Sequence, residues 1–312
     1  MVARRIGGPY YPLNGKGLVM RRALLGIALP GTLLLLLVAI PNGVAGSAGG
    51  TPSSTIPTSS STTTTAVTTT TMPTHNPDNP FTSPALAAYL RDRTNDVTAA
   101  VYDVKSGETF TYRNGVREVT ASMVKVDILA DLLYESQQND KPLTAKQQSL
   151  AYSMIEDSNN QAATTLWAQI GGRDAIDAFN QLIGFKETLP SWSWGDVATT
   201  PLDQLQLLKV IALPNAILDN ASRLYEMTLM EHVIASERFG LGWGSPARAT
   251  VGVKDGYYPE TATGWQLNTT GFVEYQGRFY LATIMCADNP NETYGISTVT
   301  TVSSDIWKYL KP

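Results

Sequence analysis

Hydrophobic and polar positions divide this chain into three parts. Residues 23–40 form an apolar run behind a pair of arginines, and residues 49–80 contain almost no apolar side chain. Only from about Phe81 onward do apolar residues recur with the spacing of helices and strands. A segment folds only where buried apolar surface offsets its lost conformational entropy. We therefore expect a single folded domain at residues 81–312.

The first two parts have the order of an export segment followed by a spacer. Positive charge, an apolar run and then small residues up to position 48 are typical of a signal peptide, and the length of the run also suits an uncleaved helical anchor. Residues 49–80 are rich in Thr, Ser, Pro and Gly, as disordered linkers are. We expect residues 1–48 to be an export signal or signal anchor. The domain would then lie outside the cytoplasm, secreted or attached to the membrane only through this segment.

Within the folded part, strand patterns occur at both ends and helical patterns lie between them. Strands are predicted at residues 97–103, 108–113, 249–253, 265–275 and 278–285. Helices are predicted at residues 83–93, 122–137, 144–156, 160–170, 173–183, 202–213, 221–233 and 295–310, with no clear strand between 122 and 233. This order predicts an α+β fold, in which one antiparallel sheet is built from both ends of the domain and a helical lobe is inserted between them. A site is expected in the crevice between the two.

Composition removes several classes of function. The chain has two histidines, and His75 lies in the linker, so a His-rich metal centre is excluded and a Ser-His-Asp triad would need His232. His232 ends a predicted helix, where a histidine facing the surface is common. The formal net charge of −4, with no run of Lys or Arg in the folded part, argues against nucleic acid. Cys286 is the only cysteine and lies in an apolar strand, which predicts a buried thiol and no disulfide within the chain.

The first candidate for chemistry is Ser122-Met-Val-Lys125. A serine at a helix start has free backbone N–H groups beside it, and a lysine one turn later lies on the same face. A lysine that is partly desolvated there can lose its proton near neutral pH and activate the serine hydroxyl. The alternative is a serine that caps the helix beside a solvated lysine.

Two further motifs follow along the chain. Ser158-Asn-Asn160 forms a polar turn between two helices, where a serine can pass a proton and an asparagine amide can bind a substrate amide. Lys254-Asp-Gly256 ends a predicted edge strand, where the missing side chain of Gly256 would let a substrate backbone lie alongside. Taken alone, Ser158-Asn-Asn160 also suits a plain turn with Asn160 as helix cap. Lys254-Asp-Gly256 taken alone also suits a strand that runs into a glycine turn.

In this order and placement the motifs resemble those of the class A β-lactamases and penicillin-binding D,D-peptidases: Ser-x-x-Lys, Ser-x-Asn and Lys-Thr/Ser-Gly. The resemblance covers about residue 94 to the C-terminus and implies a β-lactamase/transpeptidase-like fold. Gly264-Trp-Gln-Leu-Asn268 is similar to a segment of exported actinobacterial-type serine hydrolases of this group. Carried over by motif, the resemblance implies Ser122 as nucleophile, Lys125 as base, Ser158 and Lys254 as proton relay, Asn160 and Gly256 as substrate contacts, and the N–H groups of Ser122 and Tyr258 as the oxyanion hole.

The sequence also departs from that family. Class A enzymes direct water at the acyl-enzyme with a glutamate in a Glu-x-x-Leu-Asn context, which residues 184–196 lack. Glu187 comes too early and Asp196 too late to replace it, so a long-lived acyl-enzyme is expected.

Asp255 stands where the family has a hydroxyl. It would repel a substrate carboxylate by on the order of 1 kcal/mol or more, unless the alternation of side chains along the strand turns it away.

These observations favour a serine hydrolase that acts on a small-molecule β-lactam or a peptidoglycan-like peptide. We expect no cofactor, no metal and a monomer. The alternative is a non-catalytic or penicillin-binding D,D-peptidase-like protein that recognises cell-wall peptide. Aromatic residues that would either line the cleft or pack in the core are Trp192, Trp194, Trp243, Tyr257 and Tyr258.

Overall fold

A computed structural model describes residues 79–94, 96–260 and 264–310. The predicted export segment, residues 1–48, and residues 49–78 of the predicted linker lie outside the described residues. Among the helices of the described ranges, none has the length and hydropathy needed to cross a membrane.

The main sheet has five antiparallel strands in the order β2-β1-β7-β6-β5. In chain order the strands are β1 (Asp96–Asp103), β2 (Glu108–Tyr112), β3 (Glu118–Val119), β4 (Ala198–Thr199), β5 (Thr250–Glu260), β6 (Gly264–Tyr275) and β7 (Arg278–Asn289). Strand β1 pairs with β7 along its whole length, from Asp96 opposite Ala287 to Asp103 opposite Tyr280. The prediction of one antiparallel sheet built from both ends of the domain is confirmed.

In the described ranges, eight α-helices lie before, between and after these strands along the chain. They are α1 (Pro84–Arg91), α2 (Lys125–Gln138), α3 (Ala145–Ile155), α4 (Asn160–Ile170), α5 (Arg173–Ile183), α6 (Pro201–Ala212), α7 (Asn220–Glu231) and α8 (Glu292–Leu310). Local chemistry sets their ends: Thr144 and Gln147 form a capping box at α3, and α4 and α5 stop at Gly171 and Gly184, whose φ angles are 101° and 92°.

Strand β7 runs through the centre of the core. Helices α6 and α8 both pack against it, and its residues from Tyr280 to Met285, apart from the buried Thr283, are apolar and buried. Cys286 continues this run at zero exposure, as its sequence context predicts.

His232 follows α7 as its exposed C-cap residue, and its Nδ1 lies 2.7 Å from the Thr228 carbonyl oxygen.

Three details of the predicted elements are wrong. The region between 122 and 233 does contain a strand, since β4 pairs with β3 in a two-stranded sheet. Helix α2 begins at Lys125 and not at Ser122, because Ala121–Val124 form a 3-10 turn. Strand β5 does not end before Lys254 but continues to Glu260, so the third motif lies inside the strand.

A cluster of buried carboxyl groups lies behind helix α2. Asp127 and Asp131 are one turn apart on α2, and all three members of the cluster, including Glu226 of α7, are at most 3% exposed. Burial, with a smaller contribution from nearby carboxylates, raises the pKa of Asp131 to about 8. Burial raises the pKa of Asp127 to about 7, and burial together with Asp127 raises that of Glu226 well above its usual range.

We expect the pH dependence of stability to follow from this cluster. Because the folded-state pKa of Asp131 lies above its unfolded value near 4, the folded protein keeps protons that the unfolded chain releases. The free energy of unfolding therefore falls as pH rises from about 4 to about 8. Asp131→Asn removes this penalty and should raise the Tm at pH 8 by on the order of 5 °C relative to wild type, with little gain at pH 4.

Thermal unfolding at the two pH values tests this expectation. Asp140→Asn is the matched control, since Asp140 is exposed just beyond α2 and should give the same small change at both pH values. An equal Tm difference between Asp131→Asn and wild type at pH 4 and pH 8 would contradict the account.

Candidate active site

Contacts from two directions hold the backbone before Ser122. The Asn268 side chain on β6 donates from Nδ2 to the carbonyl oxygens of Val119 and Thr120, at 2.7 and 3.2 Å. The Thr120 N–H donates to the Val197 carbonyl oxygen at 2.8 Å. Ala121 then has a φ of 49°, which is costly for a residue with a side chain and is kept only where surrounding structure enforces it. The hydroxyl of Ser122 is presented half-buried at this turn.

Lys125 lies beneath Ser122 with zero exposure. Its Nζ is 2.8 Å from Ser122 Oγ, 2.6 Å from the Ser158 carbonyl oxygen and 2.7 Å from Asn160 Oδ1. A fourth contact, to Ser158 Oγ, is 3.2 Å. The first two motifs, which are far apart in the sequence, therefore meet at one amine.

The second motif is shaped by an unusual backbone at Ser158, whose φ is 53°. Asn159 and not Asn160 is the cap of α4, since its Oδ1 accepts from the Ala162 N–H at 2.9 Å. The interpretation of Asn160 as a cap is therefore wrong. The Asn160 side chain instead contacts Lys125 at the exposed start of α4.

Lys254 completes the set from the sheet. Its side chain is fully buried, and its Nζ donates to Ser158 Oγ and to the Asp255 carbonyl oxygen, both at 2.9 Å. Ser158 Oγ thus lies between two lysine amines, 3.2 Å from Lys125 and 2.9 Å from Lys254. This arrangement can carry a proton between Lys125 on α2 and Lys254 on β5.

Burial governs the charge of both lysines. Desolvation, followed by the nearby charge of Lys254, lowers the pKa of Lys125 to about 7, although Glu237 acts in the opposite direction. Desolvation also lowers the pKa of Lys254 to about 8, against the attraction of Asp255 and Glu237. At neutral pH a large share of Lys125 is therefore the free amine, the form that accepts a proton.

Gly256 lies directly against the nucleophile turn. A Cβ at this position would come within 2.6 Å of the Thr120 carbonyl oxygen, 2.7 Å of Met123 N and 2.9 Å of Ser122 N. All three are backbone atoms and cannot move aside as a flexible side chain can. Residue 256 must lack a side chain for β5 and the turn to approach this closely.

Tyr258 lies two residues further along β5, opposite Gln266 of β6. Alternation along the strand places it on the same side as Lys254 and Gly256. Its role in an oxyanion hole stays a prediction.

Asp255 faces elsewhere. Its carboxylate is 3% exposed and accepts the backbone N–H groups of Phe239 and Gly240 at 2.5 and 3.1 Å. Burial raises its pKa, while these hydrogen bonds act against that rise. The carboxylate is therefore held by the segment before β5 and is not presented to solvent.

The segment between α5 and α6 places an indole, not a carboxylate, beside Lys125. The ring centroid of Trp194 is 5.0 Å from Lys125 Nζ. Glu187 forms an ion pair of 2.6 Å with Arg117, and Asp196 is exposed.

Of the other aromatic residues, Trp192 and Trp243 are 80% and 62% exposed, so they do not belong to the core.

Two residues contribute more than the motifs indicated. The sequence offered Asn268 only as part of Gly-Trp-x-x-Asn, and it proves to hold the backbone that carries Ser122. Trp194 was one of five aromatic candidates, and no pattern in the sequence separates it from Trp192, two residues away.

A protein-family model described as the beta-lactamase enzyme family matches residues 137–310, which is more than half of the chain. The matched region includes Ser158, Asn160, Lys254 and Gly256, and it begins after Ser122 and Lys125. A search of curated proteins gave no match.

Many solved structures resemble this one. They include the TLA-1 extended-spectrum β-lactamase, with a TM-score of 0.65 and 16% identity over 73% of this chain and 97% of that one. A class A β-lactamase from Bacteroides cellulosilyticus gives 0.64 and 16% over 72% and 95%, and a β-lactamase from Chitinophaga pinensis gives 0.65 and 17% over 72% and 97%. At these identities the similarity establishes the fold, which is that of the class A enzymes.

Proposed function

The chain belongs to the beta-lactamase enzyme family, and from this premise we propose that it is a serine hydrolase that forms an acyl-enzyme on Ser122 with a β-lactam or another amide. The proposal assigns Lys125 as the base. It assigns Ser158 and Lys254 as the relay that returns the proton to the leaving nitrogen.

The partners around the Lys125 amine support this function most directly. Two of its closest partners, the Ser158 carbonyl oxygen and Asn160 Oδ1, can only accept hydrogen bonds. A neutral amine has two N–H groups, and these two oxygens take both of them. Its lone pair is then left for the remaining close partner, the Ser122 hydroxyl at 2.8 Å. Because burial lowers the pKa of Lys125 to about 7, this neutral form is available at neutral pH and supports proton transfer from Ser122 to Lys125.

During acylation one proton moves, in net terms, from Ser122 to the leaving nitrogen of the substrate. Ser122 Oγ bonds to the carbonyl carbon while its proton passes to Lys125 Nζ, and the backbone N–H groups of Ser122 and Tyr258 are the proposed donors to the oxyanion. When the tetrahedral species collapses, the C–N bond breaks and the nitrogen takes a proton from Ser158 Oγ. Ser158 is re-protonated from the neighbouring lysines, 2.9 and 3.2 Å away. The product is an ester on Ser122 and a free amine on the substrate.

The proposal extends to the fate and location of this acyl-enzyme. Deacylation is slow, because Glu187 is paired with Arg117 and no carboxylate group of the described residues is a hydrogen-bond partner of Lys125. The enzyme acts outside the cytoplasm as a monomer, exported by residues 1–48. The arginine pair, the apolar run and the linker composition support export.

Labelling with a fluorescent penicillin and with a fluorophosphonate, measured from about pH 5 to 9, tests the proposal. Because Lys125 acts as the neutral amine, the rate should rise with pH through an inflection near 7. It should fall again above about pH 8 as the Lys254 ammonium loses its proton. Ser122→Ala should remove the label at every pH.

The opposite outcome identifies the alternative function. If neither probe labels the wild-type protein at any pH, the acyl-enzyme proposal is wrong, and a protein that binds cell-wall peptide without turnover becomes the better account.

A further inference from the structure

We propose that Trp194 keeps water away from the Lys125 amine, so that the acyl group on Ser122 is retained and not hydrolysed. This inference rests on the proposed function. The lack of an omega-loop glutamate allows deacylation to be slow, and we assign the cause of the slow step to the Trp194 side chain.

The position of Trp194 is set from two sides. Its indole N–H donates to Thr164 Oγ1 on α4 at 3.1 Å, and the ring centroid is 5.0 Å from Lys125 Nζ. The 3-10 turn that it begins, Trp194–Asp196, contacts the Ala121–Val124 turn that carries Ser122. The ring therefore reaches from the helical lobe to the buried amine and is partly buried against the core.

An indole in this place cannot activate water. It has one hydrogen-bond donor, which Thr164 already occupies, and it has no acceptor. A water molecule positioned for attack needs a base beside it, and the base proposed here is a fully buried amine that has the ring centroid of Trp194 only 5.0 Å away. Exclusion of water also maintains the desolvation that keeps this lysine neutral.

Hydrolysis through Lys125 would need the space that the ring fills. The water oxygen would bond to the ester carbon while one of its protons passed to Lys125 Nζ. The bond to Ser122 Oγ would then break, and Oγ would recover that proton as the carboxylic acid leaves. With the indole in place, the water that begins this sequence has no position next to the amine.

Removal of the ring should change two independent quantities. The lifetime of a penicillin adduct, followed by intact mass at about pH 9.5, should shorten by on the order of tenfold in Trp194→Ala. In protein labelled with ¹³C at lysine Cε, the NMR titration of Lys125 should move to higher pH in the same variant. Rehydration of the ammonium outweighs the lost contact with the ring, since desolvation is the larger influence on this pKa.

Two variants serve as controls. Trp192→Ala changes the same segment, but Trp192 is 80% exposed and lies over Arg173, so both quantities should stay at their wild-type values. Trp194→Phe keeps an aromatic face and loses only the hydrogen bond to Thr164, so it should shift both quantities less than Trp194→Ala does.

The inference is overturned if Trp194→Ala leaves either the adduct lifetime or the Lys125 titration unchanged, or if Trp192→Ala reproduces both changes. Failure of the proposed function has a different signature, namely the absence of any adduct in the wild-type protein. In that case the titration alone decides: an upward shift confined to Trp194 variants supports exclusion of water, and an unmoved titration overturns it.

Discussion

Replacement of Lys125 by methionine is expected to lower the rate of Ser122 acylation by about 10²- to 10⁴-fold, the contribution of a well-placed general base. Methionine keeps most of the length and the apolar stem, but its thioether sulfur is too weak a base to accept the Ser122 proton. The Ser158 carbonyl oxygen and Asn160 Oδ1 also lose their common donor, which loosens the turn between α3 and α4.

Lys125→Arg separates the base from the positive charge. Arginine keeps a cation in the site and does not deprotonate in proteins, so it should be as slow as methionine if the lysine acts as a base. Lys146→Met, at an exposed position on α3, should acylate at the wild-type rate. Stopped-flow or quenched labelling with a fluorescent penicillin measures all three variants. An arginine variant that retained most of the wild-type rate would show that Lys125 contributes charge alone.

Gly256→Ala is expected to have the second large effect. The added methyl group would come within 2.9 Å of three backbone atoms of the nucleophile turn, including Ser122 N. Either β5 or the turn must shift, and a displacement of this kind lowers the acylation rate by on the order of 10²-fold. Overpacking should also lower the free energy of unfolding by about 1–3 kcal/mol.

A matched glycine substitution controls for the general effect of the change. A Cβ at Gly115 would have nothing within 4 Å, so Gly115→Ala should preserve both the rate and the stability. Acylation rates and thermal unfolding of the two variants give the comparison. If Gly256→Ala acylates like wild type, the close approach of β5 to the Ser122 turn is not required for the chemistry.

Much of the fold follows from local patterns. The sheet assembled from both chain ends was predictable because the strand patterns cluster there, and helix limits such as those of α4 and α5 follow from Gly171 and Gly184. The three motifs were recognisable by their order along the chain. Lys105-Ser-Gly107 matches the third motif better by letters, but it lies in the turn between β1 and β2, away from that order.

Tertiary contacts determine what the sequence could not predict. Strand β5 runs through Gly256 and Pro259 because β6 pairs with its full length, and an edge strand tolerates a proline that has no N–H to donate. Strands β3 and β4 have two residues each, too few for any periodicity. The 3-10 turn at Ser122 depends on the left-handed Ala121, which Asn268 helps to hold from 147 residues further along the chain.

Intact-mass spectrometry after incubation with a panel of β-lactams, followed by peptide mapping, tests directly whether Ser122 is the acylated residue. We expect a single adduct on Ser122 that persists for a measurable time and is absent from Ser122→Ala. An adduct that maps to another residue, or that forms equally in Ser122→Ala, would contradict the assignment of Ser122 and Lys125 as the reacting pair.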